Sequence, residues 1–463
     1  MKLVNSLGSE KEELRRNPSG KFSMYFCGPT VYNYAHIGNF RTYLLQDVLV
    51  RTLEIDGYNP CVVRNITDVD DKTIRDSMKN GVSLADFTGK WEKIFHEDCD
   101  ALNLRRPDFE PRAAEHIAEQ IAMIENLVAN GFAYAAADGS VYFKISAFER
   151  YGALSNLENR QLKTQTLGSG GERNLVDEYD RENVSDFALW KATKSEDGEN
   201  FWPSPWGNGR PGWHIECSAM AKKYLGNTID LHSGGVDLKF PHHENEIAQS
   251  ECANGEKFVR HWMHVAHLLV DGAKMSKSLG NLYTLNDVLN MGYSPMCLRY
   301  ALISAHYSQQ LNFTPNSLVA AKNALEKLRN FAKTFQQKCP PQRFEIGEWK
   351  FFGAAFGALM DDLNTPECLG NIFKAMNGIR GEMRQQSQLF GEFSTIMYCL
   401  GLRLTGEEKS VEIPAHIAQL ADARWRAKIS GDFKESDRLR RELQTSGWLV
   451  SDGKDSYALT PLR

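Results

Sequence analysis

Two short β-rich runs flank one amphipathic helix near the start of the chain, and this restricts the fold more than any other feature. Residues 22–27 (FSMYFC) are apolar and end at the turn Gly28-Pro29. After His36-Ile37-Gly38-Asn39, the spacing of Leu44, Leu45, Val48 and Leu49 predicts a helix with one apolar face. A second run, Cys61-Val62-Val63 with Ile66, ends in the acidic turn Thr67-Asp68-Val69-Asp70-Asp71. With about thirty residues between the strands this is a βαβ unit, because parallel strands need a crossover of that length. The fold class is therefore α/β with a parallel sheet. Such sheets take their ligands at the carboxyl ends of the strands, which here are 27–39 and 67–71.

The α/β pattern stops near residue 111 and resumes at 212. Between them come a helix predicted over 113–130, a hairpin-like piece (Ala133-Tyr134 and Val141-Tyr142-Phe143) and the glycine-rich stretch Gly168-Ser169-Gly170-Gly171. This reads as an insertion between two halves of the sheet domain. From Pro315 helical periodicity takes over, with Thr314 as N-cap and proline at the first helical position. The Cys339-Pro340-Pro341 loop breaks it, and a charged interruption at 406–410 sets off a last small unit. The expected domains are 1–110 with 195–314, an insertion 111–194, a helical bundle 315–405 and a C-terminal unit 406–463, in keeping with a chain of 463 residues.

Composition removes several classes. Apolar residues at 42% and charged residues at 24% exclude a disordered or fibrous chain. The longest near-apolar stretch, 351–360, stops at Asp361-Asp362, well short of the ~20 residues of a membrane-spanning helix. Residues 1–16 are charged and lack the apolar centre of a signal peptide. A soluble, cytoplasmic protein with no membrane partner is expected. The nine cysteines are scattered with no CxxC pair, so most read as small buried hydrophobes in a reducing compartment. A net charge of -5 argues against DNA as a partner, though not against a local basic patch.

Two motifs then carry chemistry. His36-Ile37-Gly38-Asn39 lies between strand and helix, where free N–H groups and the helix dipole suit phosphate. Alone it also fits an ordinary turn. Lys274-Met275-Ser276-Lys277-Ser278 puts two lysines in a loop able to stabilise charge on a departing pyrophosphate. Together with the parallel sheet, the pair resembles the HIGH and KMSKS signatures of class I aminoacyl-tRNA synthetases. The KMSKS copy is complete, while HIGH departs at Asn39, which can donate a hydrogen bond but cannot be cationic. The resemblance implies His36, Asn39, Lys274 and Lys277 as catalytic residues and His36, Gly38, Asn39 and Lys277 at ATP. Asp237, after Gly234-Gly235-Val236, could accept hydrogen bonds from the ATP ribose.

A third constellation suits a metal. Cys27 closes the first strand, Cys217 lies in GWHIEC, and His242 and Glu246 stand four apart in HHENE, on one face of a helix. Two thiolates, an imidazole and a carboxylate would suit zinc, although the cysteines, far apart in sequence, could equally be core. Their neighbours His243 and Glu244 are expected at the surface or in support of the ligands.

The strings 24–39 (MYFCGPTVYNYAHIGN), 186–191 (DFALWK), 212–220 (GWHIECSAM) and 230–250 (DLHSGGVDLKFPHHENEIAQS) are similar to the cysteinyl-tRNA synthetase family, over about 24–452. The resemblance implies a Rossmann-type catalytic domain with an α/β insertion, followed by a helical bundle and a small C-terminal anticodon-binding unit. It implies one zinc per chain on Cys27, Cys217, His242 and Glu246. With the substrate sulfur the ion would be five-coordinate, so Glu246 is expected to be the weakest ligand. Gly28, Thr67, Trp213 and His232 would line the amino-acid pocket, and ATP would bring Mg²⁺. Ser233 departs from the glycine expected there and could narrow the pocket. The partners implied are L-cysteine, ATP and tRNA(Cys), acting on a monomer. The alternative is the cysteine ligase of mycothiol synthesis, which lacks an anticodon-binding unit.

The basic stretch 424–442 supports the RNA part of that reading. It holds Arg424, Arg426, Lys428, Lys434, Arg438, Arg440 and Arg441 against Asp432, Glu435, Asp437 and Glu442. A helix with Arg424, Lys428 and Arg440 would meet phosphates, and Trp448 would stack a splayed base. A solvated charged helix with Trp448 as its core anchor fits the spacing equally well.

Overall fold

The computed structural model describes residues 1–16, 20–157, 186–275, 279–335, 342–379, 387–404, 414–452 and 457–461. Its centre is a sheet of four strands: β1 (Phe22–Phe26), β2 (Pro60–Arg64), β3 (Ile229–Gly235) and β4 (Val259–Val265). They lie in the order β4-β3-β1-β2, and every pair is parallel. Helix α1 (Ile37–Ile55) connects β1 to β2; α2 (Trp213–Leu225) leads into β3, and α3 (His242–Asn254) connects β3 to β4. The two βαβ halves wind away from each other, so the topological switch point falls between β1 and β3. That is where such sheets open a crevice for ligands.

Strand alternation assigns the two faces. Met24 and Phe26 pack in the cluster of Leu44, Leu45, Val48 and Leu49 on α1, all four of which are fully buried. Tyr25 and Cys27 point the other way, into the cluster that holds Cys217 of α2. The metal candidate and α1 therefore occupy opposite faces of one strand.

Between β2 and α2 the chain builds a separate antiparallel sheet from Ala133–Ala135, Val141–Phe143, Phe187–Ala192 and Gly209–Pro211. Gly209–Pro211 is well past residue 194, so this layer runs further along the chain than the sequence pattern suggests. The predicted helix 113–130 is a 3₁₀ turn (Ala113–His116) followed by Ile117–Ala129. Gly168–Gly171 lie outside the described residues, as do Cys339–Pro341 and 406–410. Glu244 of α3 holds the layer in place, accepting from the Gly152 and Ser155 backbone N–H groups at 2.8 and 2.9 Å. It is fully buried rather than at the surface.

Pro315 does open a helix (Pro315–Ala332), with Thr314 and Ser317 forming its capping box. Helices Gly353–Met360, Thr365–Gly378 and Ser387–Leu400 join it around Phe331, Phe352 and Phe393. The basic stretch is not one helix. Ala415–Ile429 and Phe433–Thr445 are separated by a turn at Gly431, whose φ of 81° favours glycine. Strands Trp448–Asp452 and Tyr457–Pro461 pair antiparallel beside them. No helix among the described residues is long and apolar enough to cross a membrane.

Helix α1 also anchors the bundle. Arg51 donates to Asp47 at 2.8 Å, and the fully buried Arg299 donates to the same carboxylate, to Leu400 O at 2.7 Å and to Leu102 O at 2.9 Å. Burial works against the Asp47 charge, but Arg51 and Arg299 more than offset it and hold the carboxyl below its usual range. A Cβ at Gly401 (φ 63°) would overlap the Arg299 guanidinium, so only glycine fits where the bundle meets this network. Removing one member of a buried pair typically costs about 3–5 kcal/mol, because the other charge is left unpaired. Arg299→Leu leaves Asp47 to Arg51 alone and takes the donor from the Leu400 and Leu102 carbonyls, so it should lower stability by about 3–5 kcal/mol in urea melts. Lys11→Ala, which breaks the exposed pair with Asp361, should cost no more than ~1 kcal/mol in the same assay.

Candidate active site

The switch point gathers side chains from β1, β3, α2 and α3. Cys27 ends β1, Cys217 projects from α2, and His242 and Glu246 lie one turn apart on α3; all are buried. One ligand atom from each lies within 4.8 Å of the other three. His242 Nε2 is 3.0 Å from Glu246 Oε1, and Cys27 Sγ is 3.7 Å from the same oxygen. Zinc bonds of 2.0–2.3 Å in a tetrahedron separate ligand atoms by about 3.3–3.8 Å, so these spacings fit one ion. A second group overlaps the first: Cys27, His232, His243 and Glu246 also lie within 4.8 Å of one another. Here Cys27 Sγ is 3.3 Å from His243 Nε2, and His232 Nε2 is 2.9 Å from Glu246 Oε2.

The electrostatics favour a cation in the first group. The contact with Cys27, helped by His242 and opposed by burial, brings the Cys217 thiol down to about 6. Burial pushes the Cys27 thiol up. For Glu246, burial opposes the charge, but His232 and His242 overcome it and hold the carboxyl at about 2. His242 behaves likewise: burial lowers it, while Glu246 and Cys217 raise it to about 10. Two sulfurs, an imidazole and a carboxylate are a donor set that suits a soft cation. His214 Nδ1 lies 2.8 Å from His242 Nδ1 and so fixes the ring with Nε2 toward the cluster. His243, expected at the surface or in support of the ligands, is fully buried, with Nδ1 2.7 Å from His264 Nε2.

The side chains around the cluster are tightly packed. Trp213 stacks on His242 with centroids 4.3 Å apart, and His232 stacks on Trp262 at 4.6 Å. Ser233 does not narrow the pocket. Strand alternation turns it toward α1, where its Oγ accepts from Gln46 Nε2 at 3.2 Å. Gly28 N–H donates to Asn65 Oδ1 at 2.9 Å, and Asn65 Nδ2 donates to Thr67 Oγ1 at 3.1 Å. A Cβ at Gly28 would overlap the Asn65 carbonyl, so glycine is obligatory there. Asn65 carries no motif signal, because its role depends on a neighbouring strand.

His36 is the N-cap of α1 and explains Asn39. The Asn39 backbone N–H donates to His36 Nδ1 at 3.2 Å, and the His36 N–H donates to Asn39 Oδ1 at 3.1 Å. This reciprocal capping box needs an acceptor at Asn39, which an amide supplies. With Nδ1 accepting, the neutral His36 ring carries its proton on Nε2. Burial lowers the His36 pKa, partly offset by Asp237, itself exposed. The Met275 methyl lies against Gly38, which brings the start of the lysine-rich loop to the helix N-terminus. Lys274 is exposed, and its carbonyl accepts from Asn281 Nδ2 at 3.2 Å. Lys277 lies outside the described residues.

In the C-terminal unit Trp448 packs with Ile417, Ala421 and Leu443, so the ring is a core anchor. Arg424 is 2% exposed and paired with Asp452 through both guanidinium nitrogens. Lys428 and Arg440 meet the same carboxylate at 2.9 and 3.1 Å but stay partly exposed. Phe433 is 67% exposed, and Ile429 is exposed as well.

Residues 14–323 match the family described as tRNA synthetases class I (C) catalytic domain. The chain is 52% identical to the cysteine–tRNA ligase of Opitutus terrae, over 100% of this chain and 99% of that protein. It is 45% identical to the cysteine–tRNA ligase of Brachyspira hyodysenteriae, covering 97% of each. Among solved structures it is similar in fold to Mycobacterium tuberculosis methionyl-tRNA synthetase in complex with methionyl-adenylate. That likeness has a TM-score of 0.56 at 16% identity, over 82% of this chain and 88% of that one.

The two overlapping ligand groups make different demands on mutagenesis. The thiolate-rich group should hold the ion, since it supplies the softer donors. His242→Ala and Cys217→Ser should each strip zinc from the purified protein, measured by plasma mass spectrometry after gel filtration. His243→Ala should retain it. The opposite pattern would place the ion in the second group.

Proposed function

The chain belongs to the cysteine–tRNA ligase family of class I tRNA synthetases, and we propose that it activates L-cysteine with ATP and transfers it to the 3′ end of tRNA(Cys). The observation that carries this is the buried cluster of Cys27, Cys217, His242 and Glu246 at the switch point, in a chain with both nucleotide motifs. Cysteine and serine differ by one atom, and an apolar pocket rejects such a near-isostere by only ~10²-fold. A zinc ion held by these four residues supplies a soft Lewis acid that prefers a thiolate to an alcohol.

The chain's own groups do the rest. Trp213 and His232 wall the pocket, and Gly28 and Thr67 form its floor at the ends of β1 and β2. His36 Nε2–H donates toward the phosphates, and Asn39 holds that ring in place. Lys274 and Lys277 stabilise the charge that grows on pyrophosphate as the cysteine carboxylate attacks the α-phosphorus, with Mg²⁺ accompanying ATP. No side chain becomes a covalent intermediate; positioning and charge carry the step. Asp237 accepts from the ribose. Lys428 and Arg440 meet tRNA phosphates and Phe433 offers a stacking surface, whereas Trp448 and Arg424 act from within as supports. The protein works as a cytoplasmic monomer with one zinc per chain.

Cysteine-dependent ATP–pyrophosphate exchange, with serine as control and charging of tRNA as the second stage, tests this reading. Exchange with cysteine but not serine, followed by charging, is the expected result. Exchange without charging would revive the amino-sugar ligase. Lys277→Ala should lower kcat for exchange by about 10²–10³ and change the cysteine KM much less. The Lys428→Ala, Arg440→Ala pair should weaken tRNA binding and flatten its salt dependence.

A further inference from the structure

A metal that captures a thiolate cannot tell cysteine, with one side-chain methylene, from a thiol amino acid with a longer side chain. Both present the same sulfur. Length must therefore be measured by how far the rest of the pocket stands from the metal ligands. That distance is set where β1 and β2 end side by side, about 4.8 Å apart as neighbouring strands are.

Asn65 bridges the two ends. It is 1% exposed, and both halves of its amide are used. Oδ1 takes the N–H of Gly28, the residue next to Cys27, and Nδ2 donates to the hydroxyl of Thr67. The backbone closes the same joint: Thr67 N–H donates to Pro29 O at 3.0 Å, and Val31 N–H donates to Thr67 O at 3.1 Å. With Gly28 fitted against the Asn65 carbonyl, neither strand end can shift alone. The amide donor at Thr67 Oγ1 occupies one lone pair, which leaves the hydroxyl proton and the other lone pair for a ligand.

We propose that Asn65 is a positioning residue that fixes the span between Cys27 and Thr67, and so makes the pocket select cysteine over homocysteine. This rests on the cysteine-activating reading above. Asn65 touches no reacting atom; it acts through Gly28 and Thr67. One methylene in a well-fitted pocket is worth about 10–200-fold in kcat/KM. Loosening the joint removes part of that discrimination and reduces activity with cysteine at the same time.

The test compares kcat/KM for L-cysteine and L-homocysteine in pyrophosphate exchange by the full-length zinc-loaded enzyme. Wild type, Asn65→Ala, the isosteric Asn65→Asp and Thr67→Val are assayed, with zinc content and melting temperature measured alongside. The cysteine-to-homocysteine ratio should fall about tenfold in Asn65→Ala, within the range for one methylene, while zinc stays bound. Asn65→Asp keeps the Gly28 acceptor and loses the amide donor, and should lower the ratio by a smaller factor. If Asn65→Ala does not fold, the Asn65→Asp and Thr67→Val ratios decide the matter. An unchanged ratio with both activities falling in parallel would show Asn65 to be a plain structural residue and overturn the proposal. Failure of wild type to exchange with cysteine at all would instead defeat the underlying functional reading.

Discussion

Burying two thiols, a carboxylate and several imidazoles in one dry pocket is the interaction on which the rest of the site depends. Removing such groups from water is expensive unless each finds a partner. Glu246 shows how the debt is met within the chain, since its two oxygens contact different histidines, His242 and His232. Those histidines are in turn oriented by their surroundings, through His214 in one case and the Trp262 ring in the other. Placing the cluster requires four elements to converge, and the parallel sheet supplies that convergence at its switch point. Cys27 reaches it because strand alternation sends it to the face opposite α1.

Helix α1 lies on the other face of the sheet. Its first turn is a capping box made from two motif residues, so the geometry that ends the loop also orients the His36 ring. Asp47 and Arg51, two to three turns further on, tie the same helix to Arg299 and to the bundle that follows. Helix α1 thus connects the His36 turn to the helical half of the molecule. The end of β1 beside Cys27 is tied separately to the end of β2, through Asn65.

The structure chooses between alternatives that the sequence left open, for physical reasons that can be named. Trp448 and Arg424 were candidates for RNA contact, but the small C-terminal unit needs an apolar anchor and a compensated arginine to close its own core. The break at Gly431 had a signal in the sequence, a glycine followed by Asp432 as the next N-cap. Charge counting across 424–442 passed over it. His243 was expected at the surface or in support of the ligands, and it is buried. In fact α3 is covered on one side by the sheet and on the other by the inserted layer.

The sequence by itself determined the α/β class and the βαβ unit at its start, because these depend on local spacing that chain geometry fixes. It also supplied the donor types of the metal quartet, since His242 and Glu246 share a helix face whatever surrounds them. Only the tertiary structure decided that Cys27 and Cys217 meet that face, that Ser233 turns away from the pocket, and that Asn65 links two strand ends. Those outcomes depend on which strands become neighbours and on the direction of each side chain across the sheet. Such relations join residues far apart in the chain and leave no periodicity within it.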